Sequence, residues 1–103
     1  MYKYKAFCTQ VIDGDTVELK IDLGFNINYT IRGRLVGYNA AELFSGTKRE
    51  LGAVHKAYLE YLILNKEVIV ETFKDRQSFG RWLVTIYHNE RNINNLMKEY
   101  VGG

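Results

Sequence analysis

Proline is absent from the 103 residues, and cysteine occurs once, at Cys8. A lone cysteine excludes an internal disulfide, so any core must hold without a covalent staple. Beside Phe7 in a strand-like run, Cys8 reads as a buried thiol rather than a reactive one. No apolar run approaches the roughly 18 residues that would suggest a membrane span. The N-terminal "MYKYKAFCTQ" carries lysines but no apolar stretch, so no signal peptide is read. Location stays open between the cytoplasm and a mature secreted form. Charge of one sign is scarce too: Lys and Arg outnumber Asp and Glu by only 14 to 12. Attraction of an anionic partner therefore has to come from particular arginines, not from a bulk field. The two histidines, His55 and His88, are isolated, and no Cys/His spacing suits zinc.

What is present suits a folded domain. Apolar residues make up 47% and aromatics 14%, which argues against disorder and for one domain over 1–103. No repeat, linker or low-complexity stretch interrupts it. Residues 2–12 read as a strand. Residues 15–23 alternate, Val17, Leu19, Ile21 and Leu23 against Thr16, Glu18, Lys20 and Asp22. Asp13-Gly14 between these runs is a hairpin signal. Residues 25–36 alternate again, with Ile27, Tyr29, Ile31 and Leu35 on the apolar face.

The period then changes. Thr47-Lys48-Arg49-Glu50 has the form of a capping box. After it Leu51, Val54, Ala57, Tyr58, Tyr61 and Leu62 recur at helical spacing to about Leu64. Strands are expected at 67–73 and 81–88, and a short second helix at 92–100. The expected fold is α+β, mainly β: a five-stranded antiparallel OB-type barrel, a helix between strands three and four, and a short C-terminal helix. Closure removes the exposed edges that five short strands would otherwise leave.

Taken singly, the chemistry-bearing residues are unremarkable. Asp13-Gly14-Asp15 is a turn, Arg34 and Arg32 share a solvated strand face, Glu42 lies in a loop, and Arg81 enters the last strand. Their order says more. "VIDGDTV", then "RLVGYNAAE", then "FGRWL" resembles the staphylococcal-nuclease-like (thermonuclease-like) family over about residues 7–100. That resemblance implies an OB barrel and a nuclease that hydrolyses DNA and RNA phosphodiesters with one Ca2+, preferring single strands and little concerned with sequence. It implies Asp15 as a metal ligand, with Asn39 and the backbone carbonyl of Ala40 as further ligands. Asp13 would set the site's charge without touching the ion. It further implies Arg34 and Arg81 as catalytic arginines, Glu42 as the residue that positions or deprotonates water, and 3′-phosphate and 5′-hydroxyl products. Phe79 and Arg32 are the expected substrate contacts.

The chemistry asks for such a set. A phosphodiester repels nucleophiles, so a hard cation with oxygen ligands, a carboxylate near water and two guanidinium forks address its barrier together. The chain departs from the family pattern in four places. Asn39 replaces a charged ligand, which lowers the expected affinity for calcium and leaves other divalent ions open. Ala41 replaces the proline before the glutamate, Phe79 replaces a tyrosine, and the sequence stops short of the family's last helix. The alternative expectation is a catalytically weak or inactive barrel that binds nucleic acid or protein. No membrane and no disulfide partner are expected.

Overall fold

The computed structural model describes residues 2–38, 49–74 and 81–102. Strands β1 (Tyr2–Asp13), β2 (Thr16–Asp22) and β3 (Asn28–Leu35) form a meander. Helix α1 (Arg49–Ile63) follows, then β4 (Glu67–Lys74), β5 (Arg81–His88), a two-residue β6 (Arg91–Asn92) and α2 (Ile93–Gly102).

Pairings β1–β2, β2–β3, β1–β4 and β4–β5 are antiparallel. The ring closes between β3 and β5, which run parallel, from Arg32 opposite Arg81 to Leu35 opposite Val84. The molecule is thus mainly β, a closed five-stranded barrel of mixed polarity with two helices. The expected all-antiparallel barrel is corrected here. An odd number of strands in a closed ring cannot alternate direction throughout, so one seam has to be parallel.

Twelve residues of β1 bend around two neighbours, and the sequence provides the bend. Cys8 faces Leu19 and Gln10 faces Glu18, leaving Thr9 as an extra residue; Ile12 is a second one, between the Val11–Val17 and Asp13–Thr16 pairs. Such bulges coil a strand. They also let Cys8 and Val11, three apart, both reach the core. The interior holds Ala6, Cys8 and Val11 with Val17, Leu19, Ile21, Ile31, Leu35, Val68, Val70, Val84 and Ile86. Leu59, Leu62 and Ile63 from α1 and Ile93 and Met97 from α2 complete it. Burial pushes the Cys8 thiol up to about 11, which makes it inert as a nucleophile at neutral pH.

Two features of the strands differ from expectation. Strand β3 starts at Asn28 rather than 25 because Gly24, Phe25 and Asn26 have φ of 81°, 55° and 60°. Asp22 Oδ1 accepts the Gly24 amide at 2.8 Å and turns the chain there. Leu23, Ile27 and Tyr29 therefore stand exposed instead of joining the core. Strand β6 was not expected; Asn89 and Glu90, at φ 51° and 67°, make a two-residue turn that folds it back on β5. Asn92 Oδ1 then caps α2 by accepting the Asn95 amide at 3.0 Å.

The expected apolar face of α1 is also corrected. Leu51, Val54 and Tyr61 are exposed, whereas Gly52, His55, Leu59, Leu62 and Ile63 are buried. The buried stripe lies about one residue around the helix, with His55 in a core position. Of the expected Thr47–Glu50 capping box, Thr47 and the Glu50 side chain lie outside the described residues.

Candidate functional site

The turn between β1 and β2 is held by its own side chains. Asp13 Oδ1 accepts the Asp15 amide at 3.1 Å, and Asp15 Oδ1 accepts the Thr16 hydroxyl at 3.1 Å. Thr16, expected on the solvent face, is 6% exposed, buried between Asp13 and Arg34 of the adjacent strands. The main chain of the turn reaches β3 as well, because the Leu35 amide donates to the Asp15 carbonyl at 2.8 Å.

That bond sets β3 against the turn. Arg34 Nε lies 3.8 Å from Asp15 Oδ2, with the two side chains 35% and 14% exposed. Arg32, two residues back on the same outward row, is exposed. Closure brings the start of β5 alongside: Arg81 is the register partner of Arg32, and Leu83 that of Arg34. Asp13, Asp15 and Arg34 thus gather near the Leu35 end of the β3–β5 seam, and the Arg81 backbone pairs with Arg32 at its other end. The Arg81 side chain lies outside the described residues, as do Asn39, Ala40, Ala41, Glu42 and Phe79.

Beside Arg34 opens a cleft of about 350 Å³, lined by Arg34, Leu35, Val36, Gly37, Tyr38 and Leu83. Its wall is pinned at several points. The Val36 amide donates to Val84 O at 3.1 Å. Asn94, 5% exposed, donates through Nδ2 to Val36 O and Val84 O, both at 2.9 Å, while its Oδ1 accepts the Ile86 amide at 3.0 Å. Gly37, at φ 101°, then turns the chain in a conformation that side chains disfavour. Next, the Tyr38 hydroxyl donates to Gly14 O at 2.7 Å, tying the cleft wall to the acidic turn. Burial first, then the nearby Asp15 and Asp13 carboxylates, push the Tyr38 pKa far above its ordinary range, so the hydroxyl stays a donor.

Tyr38 and Asn94 were not foreseen as site residues. Asn94 left one signal, an amide on the buried face of an amphipathic helix beside Ile93 and Met97. Tyr38 left none, since its partner sits 24 residues earlier.

The donors at the turn are carboxylate oxygens, the ligand class that a hard divalent cation takes, so the chemistry of Asp15 and Asp13 fits calcium. Among the described residues, no group of three or more His, Cys, Asp or Glu converges as a metal site. The other expected ligands, Asn39 and Ala40, lie outside them. In comparisons with known proteins, no family model and no curated protein matches this chain. Among the described residues, no helix is long and apolar enough to cross a membrane.

Proposed function

We propose that the chain is a calcium-dependent nuclease of the staphylococcal-nuclease-like type, built on an OB-type barrel and acting on single-stranded DNA and RNA. The observation that supports this reading is the placement of Arg34 beside the acidic turn, on a strand that also pairs with the start of β5. Arg34 stands 3.8 Å from Asp15, and Arg81 is in register with Arg32. Asp15, Asn39 and the Ala40 carbonyl would hold the ion, with Asp13 adding charge beside them. When bound, the ion neutralises phosphate charge and acidifies a coordinated water. Glu42 would take the proton of the attacking water as the water oxygen bonds to phosphorus. The phosphorus bond to the 5′ oxygen breaks, and that oxygen takes a proton from solvent to leave as a 5′-hydroxyl. Arg34 and Arg81 hold the equatorial oxygens as negative charge builds on them; arginine's planar fork meets two oxygens at once.

The test is cleavage of single-stranded DNA by the intact protein in calcium and then in chelator, with analysis of product ends. Metal-dependent cleavage leaving 3′-phosphates is expected, and Arg34→Ala lowers its rate by about 10²-fold or more. No metal-dependent cleavage by the native chain removes the reading. A second reading, a barrel that binds without cleaving, draws on the exposed rings of Phe25 and Tyr29 (98% and 61% exposed), which offer stacking surfaces to bases. Oligonucleotide binding that survives chelation, with no turnover, supports it instead.

A further inference from the structure

We infer that Tyr38 is a positioning residue for the acidic turn, acting on metal affinity through the Gly14 carbonyl rather than by touching substrate. The inference rests on the calcium reading above, and its geometry is specific to this cleft. Contacts from β3 and the segment after it hold the Asp13-Gly14-Asp15 turn. Asp15 O accepts the Leu35 amide at 2.8 Å, Arg34 approaches the Asp15 carboxylate at 3.8 Å, and the Tyr38 hydroxyl reaches Gly14 O at 2.7 Å. The first two act at Asp15 itself. The third acts on the residue between the two aspartates and so fixes how the turn sits against β3.

A carboxylate that must meet a cation in one direction loses affinity when its backbone is free to tilt, because ordering then has to accompany binding. Tyr38 can serve as a strut because the residues leading to it are held. Gly37 has the turn conformation, Val36 is bonded to Val84 on one side and to Asn94 on the other, and Leu35 is buried. The ring adds bulk between cleft wall and turn, but only the hydroxyl makes the bond to Gly14. Tyr38→Phe therefore separates the two contributions: it keeps the packing and removes the strut's tip.

The experiment titrates calcium into native protein, Tyr38→Phe and a remote core variant, Ile86→Val, followed by NMR shifts of the Asp15 and Thr16 amides. Melting temperatures are measured alongside, so that the two variants are compared at similar stability. Expected is roughly tenfold weaker calcium binding in Tyr38→Phe and native affinity in Ile86→Val, the scale found when a residue supporting a metal ligand is removed. Cleavage by Tyr38→Phe then needs more calcium but reaches within about threefold of the native rate at saturation, since no group that touches phosphate is lost. Unchanged calcium affinity in folded Tyr38→Phe, with only its melting temperature lowered, overturns the inference and leaves the metal reading standing. If the native Asp15 and Thr16 amides do not respond to calcium, the metal reading falls and takes this inference with it.

Discussion

A histidine in the core is a proton acceptor that folding keeps dry. His55 is 3% exposed on α1, with its ring edge-on to Tyr100 of α2 at 6.1 Å and 73°. Tyr100 in turn stacks on Tyr58 at 4.1 Å and 24°. Burial holds the His55 pKa below its ordinary 6.5, because the charged imidazolium would have to shed water to enter this cluster. The unfolded chain therefore binds a proton at higher pH than the folded one. Above about pH 7 the group is neutral in both states and costs nothing; as pH falls below 6.5, stability is lost until the folded pKa is passed. Urea unfolding between about pH 7.5 and 5 should show this loss in the native protein and a shallower one in His55→Leu. Equal losses in both would assign the acid sensitivity to other groups. The same residue explains why the helix face was misread. Ranked by apolarity, Leu51, Val54 and Tyr61 outcompete Gly52 and His55, yet burial is decided by where Tyr100 and the barrel end lie.

At the scale of elements, closure depends on how near β3 and β5 can come. Gly33 faces the interior at the seam, and a Cβ there would lie 3.0 and 3.1 Å from the Val84 methyls and 3.5 Å from Leu19 Cδ1. Val84 and Leu19 are fully buried in the core. Gly33→Ala should therefore destabilise by about 1–3 kcal/mol through overpacking. Denaturant titration checks it as a lowered midpoint at unchanged slope, and a midpoint equal to native would mean that the seam has slack. The strands themselves were legible because alternation is local: Val17, Leu19 and Ile21 declare one face within five residues. Which strand borders which was legible only where a short turn joins them. The parallel seam joins stretches separated by a helix and a strand, and no residue in β3 or β5 announces its partner. Counting would have found it, since five strands in a ring force one parallel pair.

For the whole molecule, the candidate site was legible where chemistry and order coincide, as in Asp15 and Arg34, and illegible where a residue works through a backbone atom far along the chain, as Tyr38 and Asn94 do. The sign of the net charge offered little guidance to the site. At +2 overall, the molecule has no broad field to attract a polyanion, so the proposed interaction with single strands must depend on a few local contacts. By register the Arg81 backbone lies beside Arg32, two residues from Arg34. Carboxylates stand beside two of the three: Asp15 lies 3.8 Å from Arg34, and Glu18 is the register partner of Arg32. If these three arginines carry the phosphate contacts, counterion release gives a slope near −2 for log affinity against log salt, at about −0.7 per phosphate. Anisotropy of a labelled single-stranded oligonucleotide in chelator, which prevents cleavage, measures it. Arg32→Ala should make the slope shallower by about 0.7 and weaken binding alike for all sequences, because a phosphate contact carries no base information. A native slope steeper than about −4 would mean that strands spread over the other lysines, and the three arginines would then no longer define where the substrate lies.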